Sequence, residues 1–318
     1  MSPTRQRLGV IFGGRSMEHE VSVVSARGVM READTDRFEV VPFGITRHGA
    51  WLSPDETRRR LARVEAGETR SLGDDAGDGV LAYPDVAEQL REMDVVFPIV
   101  HGTFGEDGTL QGLLEMADLP YVGSGVAASA VGMDKALMRA VFAAHGVPQT
   151  DYVVLADEET RAPSAETLRR IERDLGYPCF VKPANGGSSL GVSKAKTRED
   201  LLDAVAHAAR FDRKVLVEAA MTGREVECAV LGNAHPQPSP LGQIVPRAEF
   251  YSYEAKYADD STELTVPAPI PAATAARVQE YALRAFRAVG CAGLARVDLD
   301  RKSTRLNSSH VALSRMPS

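Results

Sequence analysis

The chain has 318 residues, more than the roughly 250–300 at which a single core stops growing, so two or three modules are expected. With 44% apolar and 25% charged residues it is neither a disordered chain nor a fibre, and a net charge of −7 gives no global pull toward nucleic acid. Three scattered cysteines (Cys179, Cys228, Cys291) suit neither a disulfide framework nor a zinc cluster, and no apolar run approaches the roughly 18–20 residues of a membrane span. The N-terminus enters a strand pattern at once, which leaves no room for a signal peptide, so a reduced, cytoplasmic protein is expected.

Residues 8–12 (LGVIF) read as a buried strand that runs into Gly13-Gly14, a tight turn. Residues 20–31 have helical spacing, and 40–45 form a second strand. The Arg-, Glu-, Gly- and Asp-rich stretch 53–79 suggests a surface insertion, and 95–100 a third strand followed by the loop 101–108. This alternation predicts an open α/β sheet, whose ligands bind at the carboxyl ends of its strands. A second module begins near Gly125, with a helix over 134–145 closed by Gly146 and Pro148. Strands follow at 179–181 and 215–218, a third module opens at 225–231, and 272–289 reads as a long helix before a last strand at 293–299.

The stretch 182–192 (KPANGGSSLGV) carries the clearest chemistry. A lysine after a strand, then a Gly/Ser loop, gathers backbone N–H groups and a point charge around phosphates; a flexible linker is the plain alternative. It is not a Walker loop, because the lysine precedes the glycines. Gly13-Gly14-Arg15-Ser16 lacks GxGxxG and reads better as a strand-to-helix turn, with Glu18-His19-Glu20 an exposed helix start. In loop 101–108, His101, Glu106 and Asp107 are solvated or functional, and Asp107-Gly108-Thr109 equally suits a turn and N-cap. Three tyrosines within 251–257 favour a loop that closes over a site, against an edge strand. Arg296-Val297-Asp298 ends the last strand with a carboxylate suited to Mg²⁺ beside phosphates.

Taken together, GGRSMEHEVS (13–22), VFPIVHGTFGEDGTLQGLLEMADLPYVGSG (96–125), GMDKALMR (132–139), FVKPANGGSSLGVSK (180–194), VEAAMTGREVECAVLG (217–232), FYSYEAKY (250–257) and GLARVDL (293–299) resemble the D-alanine–D-alanine ligase family of the ATP-grasp superfamily. The resemblance implies an α/β protein of three modules: a substrate domain over 1–124, a central domain over 125–217 and a C-terminal domain over 218–299. It implies that ATP phosphorylates one D-alanine carboxylate and that the amine of a second D-alanine attacks the acyl phosphate, feeding peptidoglycan synthesis. Glu18 matches the residue holding the first substrate's ammonium, and His101 lies at the subsite of its carboxylate. Ser188 and Tyr257 match a hydrogen-bonding pair that joins Glu18, with Ser188 also in the phosphate loop. Lys135, Lys182 and Lys256 match the cations around the transferred phosphoryl, and Glu218 and Glu225 match contacts to adenine and ribose. Arg296 matches the stabiliser of the oxyanion, and Asp298 matches a ligand of a two-Mg²⁺ site in which Mn²⁺ can substitute. Two D-alanines, ATP and a second copy in a homodimer are the implied partners, with neither nucleic acid nor membrane. The alternatives are a D-alanine–D-lactate ligase, another ATP-grasp carboxylate–amine ligase, or an inactive nucleotide-binding fragment.

Residues 300–318 break the style of the chain, and the family's next strand and its Asn-Glu-x-Asn-x-x-Pro-Gly segment are absent. DRKSTRLNSSH (300–310) reads as a translated sequencing-library adapter, since a widely used adapter beginning GATCGGAAGAGCACACG encodes Asp-Arg-Lys-Ser-Thr in that frame. The expectation is a last domain that lacks a strand, exposes a sheet edge and turns over no substrate.

Overall fold

The computed structural model describes residues 5–77, 79–187, 190–221, 223–245, 263–302 and 305–312. Ser188, Lys256, Tyr257 and the whole tyrosine loop 251–257 therefore lie outside the described residues. The chain divides into two compact units, one over 1–130 and one over 131–312.

The first unit is built on three parallel strands. In chain order it holds β1 (Gln6–Gly13), α1 (His19–Glu32), β2 (Phe38–Ile45), α2 (Pro54–Glu65), a 3₁₀ turn (Val80–Ala82), α3 (Pro84–Arg91), β3 (Val95–Ile99), α4 (Thr109–Met116) and the start of α5 (Val126–Met133). The strand order is β2-β1-β3, with Ile11 beside Phe43 on one side and Pro98 on the other. Both faces of β1 are covered. Leu8, Val10 and Phe12 pack with Val23 and Ala26 of α1, while Ile11 packs oppositely with Phe43, Leu110 and Leu114. The order reverses at β1, so a crevice opens beyond the carboxyl ends of β1 and β3. At the end of β1, Gly13 has φ of +90°, and a Cβ there would lie 2.2 Å from the Ile45 carbonyl oxygen, so glycine alone fits.

Residues 53–79 are not simply a surface insertion. They open with α2, capped by the Ser53 side chain, which accepts from the Glu56 N–H, with Pro54 in the first turn. Its buried stripe is only Pro54, Thr57 and Leu61, which left the composition looking like a solvated loop.

The second unit carries two antiparallel sheets. The first follows α6 (Lys135–Ala144), whose N-cap Asp134 accepts from the N–H groups of Ala136 and Leu137. Then come β4 (Tyr152–Ala156), α7 (Glu158–Arg161), α8 (Ala165–Asp174), β5 (Cys179–Pro183), β6 (Ser193–Ala195), α9 (Arg198–Ala208) and β7 (Lys214–Ala219), with strand order β4-β7-β5-β6. A capping box between Thr197 and Asp200 starts α9. The second sheet contains β8 (Arg224–Leu231), β9 (Gln237–Pro238), β10 (Gly242–Val245) and β11 (Glu263–Thr265). After α10 (Ala272–Ala288) it is completed by β12 (Leu294–Lys302) and β13 (Arg305–Ala312). Its order is β11-β10-β8-β12-β13, with β9 on β8. Val226, Cys228 and Val230 of β8 alternate into the core with Ala295, Val297 and Leu299 of β12, and α10 buries Val278, Ala282, Ala285 and Phe286. The opposite face of the same two strands carries Glu225, Glu227, Arg296 and Asp298.

The missing strand expected beyond residue 299 is a point of correction. Residues 305–312 pair antiparallel with β12 from Lys302–Arg305 to Arg296–Ala312, with an irregularity at Asp298/Leu299, and so cover that edge. Strand pairing uses backbone groups, which every sequence supplies; a chain that turns back on itself can fill an edge without the family's side chains.

Candidate active site

In the first unit the crevice at the ends of β1 and β3 is lined by a hydrogen-bonded knot. Glu18 stands at the N-cap of α1 and is 2% exposed. The Ser16 hydroxyl accepts from the Glu18 N–H at 3.2 Å and donates to the His101 carbonyl at 2.6 Å, tying the two loops together. His101, also buried, meets the Ser25 hydroxyl through Nε2 at 3.1 Å. Gly102 has φ of +72°, and a Cβ on it would stand 3.1 Å from Glu18 Oε2. Its N–H donates to Glu106 Oε2 at 2.6 Å, and Asp107 accepts from the N–H groups of Phe104 and Thr109. Glu106 and Asp107 are thus acceptors that shape the loop, and the Ser16 hydroxyl joins the backbone of Glu18 to that of His101.

The exposed helix start expected at Glu18-His19-Glu20 is instead buried at its first two residues. His19 bonds the Gly14 carbonyl through Nδ1 at 2.9 Å and accepts the Leu72 N–H on Nε2 at 3.1 Å. Burial is the main cause that lowers its pKa, so the neutral ring is favoured, and this pair of contacts fixes the proton on Nδ1.

In the second unit a cationic cluster forms where α6, β5 and β7 meet. Lys135, at the start of α6, donates to the Gly186 carbonyl at 2.6 Å. Lys182, on β5 just before the Gly/Ser loop, pairs with one oxygen of Glu218 on β7. Arg139, one helical turn beyond Lys135, pairs with the other oxygen. Burial works to raise the Glu218 carboxyl, but Lys182 and Arg139, helped by Lys135, outweigh it and hold it below the usual range. The root of the loop is braced as well: Asp212 accepts from both the N–H and the side chain of Asn185, at 2.7 and 2.9 Å, and Lys214 reaches Asp134 at 2.5 Å. Lys182 is a part-buried residue within β5, with an ion-pair partner, and does not follow the strand as its place after Cys179–Val181 suggested.

On the C-terminal sheet, Arg296 forks onto Asp298 at 2.7 and 2.9 Å and lies 3.2 Å from Glu227, which faces Asp298 across the strands. Glu225, two residues earlier on β8, is exposed and stands opposite Asp300 in register. Arg296 engages the Asp298 carboxylate, with Glu227 beside it, and the described residues hold no group of three His, Cys, Asp or Glu able to bind a metal ion by themselves. Mg²⁺ beside phosphates takes one or two carboxylates, which Asp298 and Glu227 would supply.

Sequence reasoning missed Arg139 and Glu227. Arg139 had a signal: it sits in GMDKALMR four residues after Lys135, on the same helix face, yet between the buried Met138 and Phe142. Among the described residues, no helix is long and apolar enough to cross a membrane.

A parallel substrate-type domain followed by two antiparallel sheets, with lysines at the root of a Gly/Ser loop, is the architecture of an ATP-grasp ligase. Two family models match, described as D-ala D-ala ligase N-terminus over residues 7–124 and D-ala D-ala ligase C-terminus over residues 141–306. The chain belongs to the D-alanine–D-alanine ligase family. It is 44% identical over 311 residues to the D-alanine–D-alanine ligase of Acetivibrio thermocellus, covering 92% of this chain and 83% of the relative. It is 46% identical over 299 residues to that of Geobacillus thermodenitrificans, covering 92% and 82%. Among solved structures, VanG D-Ala:D-Ser ligase from Enterococcus faecalis matches with TM-score 0.80 and 32% identity over 98% of this chain and 91% of that one. The D-alanine–D-alanine ligase from Coxiella burnetii matches with TM-score 0.78 and 32% identity, covering 98% and 85%. These are ATP-dependent ligases of D-amino acids, and the chain is a ligase of that kind.

Proposed function

We propose that the fold serves cytoplasmic synthesis of D-alanyl-D-alanine for peptidoglycan, through an acyl phosphate, in a homodimer. The observation that carries this reading is the cluster of three cations around a single carboxylate at the root of the Gly/Ser loop. Arg139 and Lys182 share one carboxylate, so a positive charge exceeds what Glu218 balances, which suits a polyphosphate. A carboxylate is a poor acyl donor; phosphorylation supplies a leaving group. Lys135 and Lys182, with Lys256, offset charge on the phosphoryl as it transfers, while Glu218 and Glu225 hold adenine and ribose. Glu18 holds the ammonium of the first D-alanine and His101 its carboxylate. Ser188 and Tyr257 close over the site, because water would hydrolyse the acyl phosphate. Arg296 stabilises the oxyanion when the second amine attacks. The similarity to a D-Ala:D-Ser ligase favours one second reading, a different acceptor. Products formed from mixed D-alanine, D-serine and D-lactate by a version that carries a relative's C-terminus from residue 300 onward, identified by mass spectrometry, decide it; D-Ala-D-Ala is expected to predominate.

Residues 300–318 do not carry the segment with which the family completes its two-Mg²⁺ site, so the 318-residue chain is proposed to turn over no substrate. Phosphate release with ATP and D-alanine is compared with a version whose residues from 300 onward are replaced by those of the Acetivibrio thermocellus relative. Release is expected only from the replaced version, and equal rates in both would disprove the proposal.

A further inference from the structure

We propose that Arg139 is a positioning residue that sets the charge Lys182 offers to phosphate, by taking half of the Glu218 carboxylate for itself. The inference rests on the reading that Lys182 faces ATP. Arg139 is 1% exposed, the largest fully buried side chain among the described residues. Nη2 pairs with Glu218 Oε2, Nη1 donates to the Thr150 carbonyl and hydroxyl at 3.3 and 3.2 Å, and the guanidinium lies 5.1 Å from the centre of the Tyr152 ring. So held, it cannot itself reach a ligand. Lys182 takes the other Glu218 oxygen and keeps 15% of its side chain exposed. One carboxylate shared by two cations leaves a positive charge uncompensated, and the exposed member of the trio carries it. Without Arg139 the same carboxylate would pair with Lys182 alone, and the lysine would meet phosphate as half of a neutral pair. A fully buried cation that touches no ligand thus decides how strongly another one binds. Lys135 sits one turn earlier on the same helix, so α6 delivers both a lysine for the loop and the counter-charge for Glu218.

The test reads Lys182 directly. Competitive acylation by acetic anhydride, followed by mass spectrometry with exposed Lys196 as internal reference, is run on the 318-residue chain and on Arg139→Gln and Arg139→Lys. Gln keeps a planar donor but no charge; Lys182 should then be held more tightly by Glu218 and acylate about tenfold more slowly. Lys at 139 keeps the charge without the fork and should slow acylation about threefold, and this variant decides the matter should the Gln variant not fold. ATP affinity by calorimetry should weaken about tenfold in Arg139→Gln. Unchanged Lys182 labelling in the folded variants overturns the proposal, as does an ATP affinity that is measurable and unchanged in Arg139→Gln. Slowed labelling in a chain that binds no ATP supports the role of Arg139 and counts against the nucleotide reading alone.

Discussion

Two loops, one in each unit, are held by opposite means. Loop 101–108 of the first unit is shaped from within: Glu106 and Asp107 accept backbone N–H groups two to four residues away, and Ser16 ties the loop to the Glu18 turn. The buried charges there are carboxylates, Glu18 and Glu106. Loop 182–187 of the second unit is braced from outside, by Lys135 on the Gly186 carbonyl and Asp212 on Asn185, and the charge beside it is cationic. A rigid acidic turn suits an ammonium that must be oriented. A glycine loop with surplus cations suits a polyanion that must be drawn in and then held.

That contrast makes measurable claims. The largest effect is expected from Lys182→Ala, in the version carrying the relative's C-terminus: turnover should fall about 10²–10³-fold or more, since a charge on the transferring phosphoryl is lost. A rate within about tenfold of the parent, about 1.4 kcal/mol in barrier, removes Lys182 from the phosphoryl. Next, Glu106→Ala leaves the buried Gly102 N–H without its acceptor and should cost about 1.5–3 kcal/mol in urea unfolding, with a raised KM for D-alanine and a nearly unchanged KM for ATP. Equal changes in both KM values would dissolve the division of labour between the loops. Thr197→Ala removes the capping box of α9 and should cost about 1 kcal/mol, seen as about 2–4 °C in melting temperature. The smallest effect is a slope. The folded-state pKa of His19 is lowered by burial and by Arg47, against the Gly14 carbonyl and Asp74, so the unfolded chain takes up the proton first as pH falls. Stability is therefore full above about 6.5 and is lost as pH drops below that value. His19→Gln, which still offers Leu72 an acceptor, should flatten the denaturation midpoint between pH 7 and 5.5.

Much of the fold was legible because the strands carry their burial in their letters. LGVIF, VVFPIV and CFV have no surface reading, and helix 134–145 announced its caps in Asp134 and Gly146. What failed to show were elements whose support is tertiary. The three-residue buried stripe of α2 lies inside PDETRRRLARVE, and only the packing of Leu61 beneath the sheet separates it from a solvated loop. Glu18 and His19 looked like a solvated helix start because acidic first turns usually are; their burial depends on the loops around 72 and 102, far away in sequence. The lysines of the cluster were readable by resemblance, whereas Arg139 was not, because a buried arginine has meaning only once its carboxylate partner is known.

The distance between those partners also orders events during synthesis. The Glu106–Gly102 knot spans four residues and can close as soon as loop 101–108 leaves the ribosome. The pair Arg139–Glu218 spans 79 residues and Lys214–Asp134 spans 80, so the cationic cluster stays unbalanced until β7 has been made. Through that interval Arg139, Lys135 and Lys182 sit on a nascent chain without their carboxylate, on a growing segment that any anionic surface will attract. The arrival of Glu218 is therefore the step at which Arg139 and Lys182 gain the carboxylate they share.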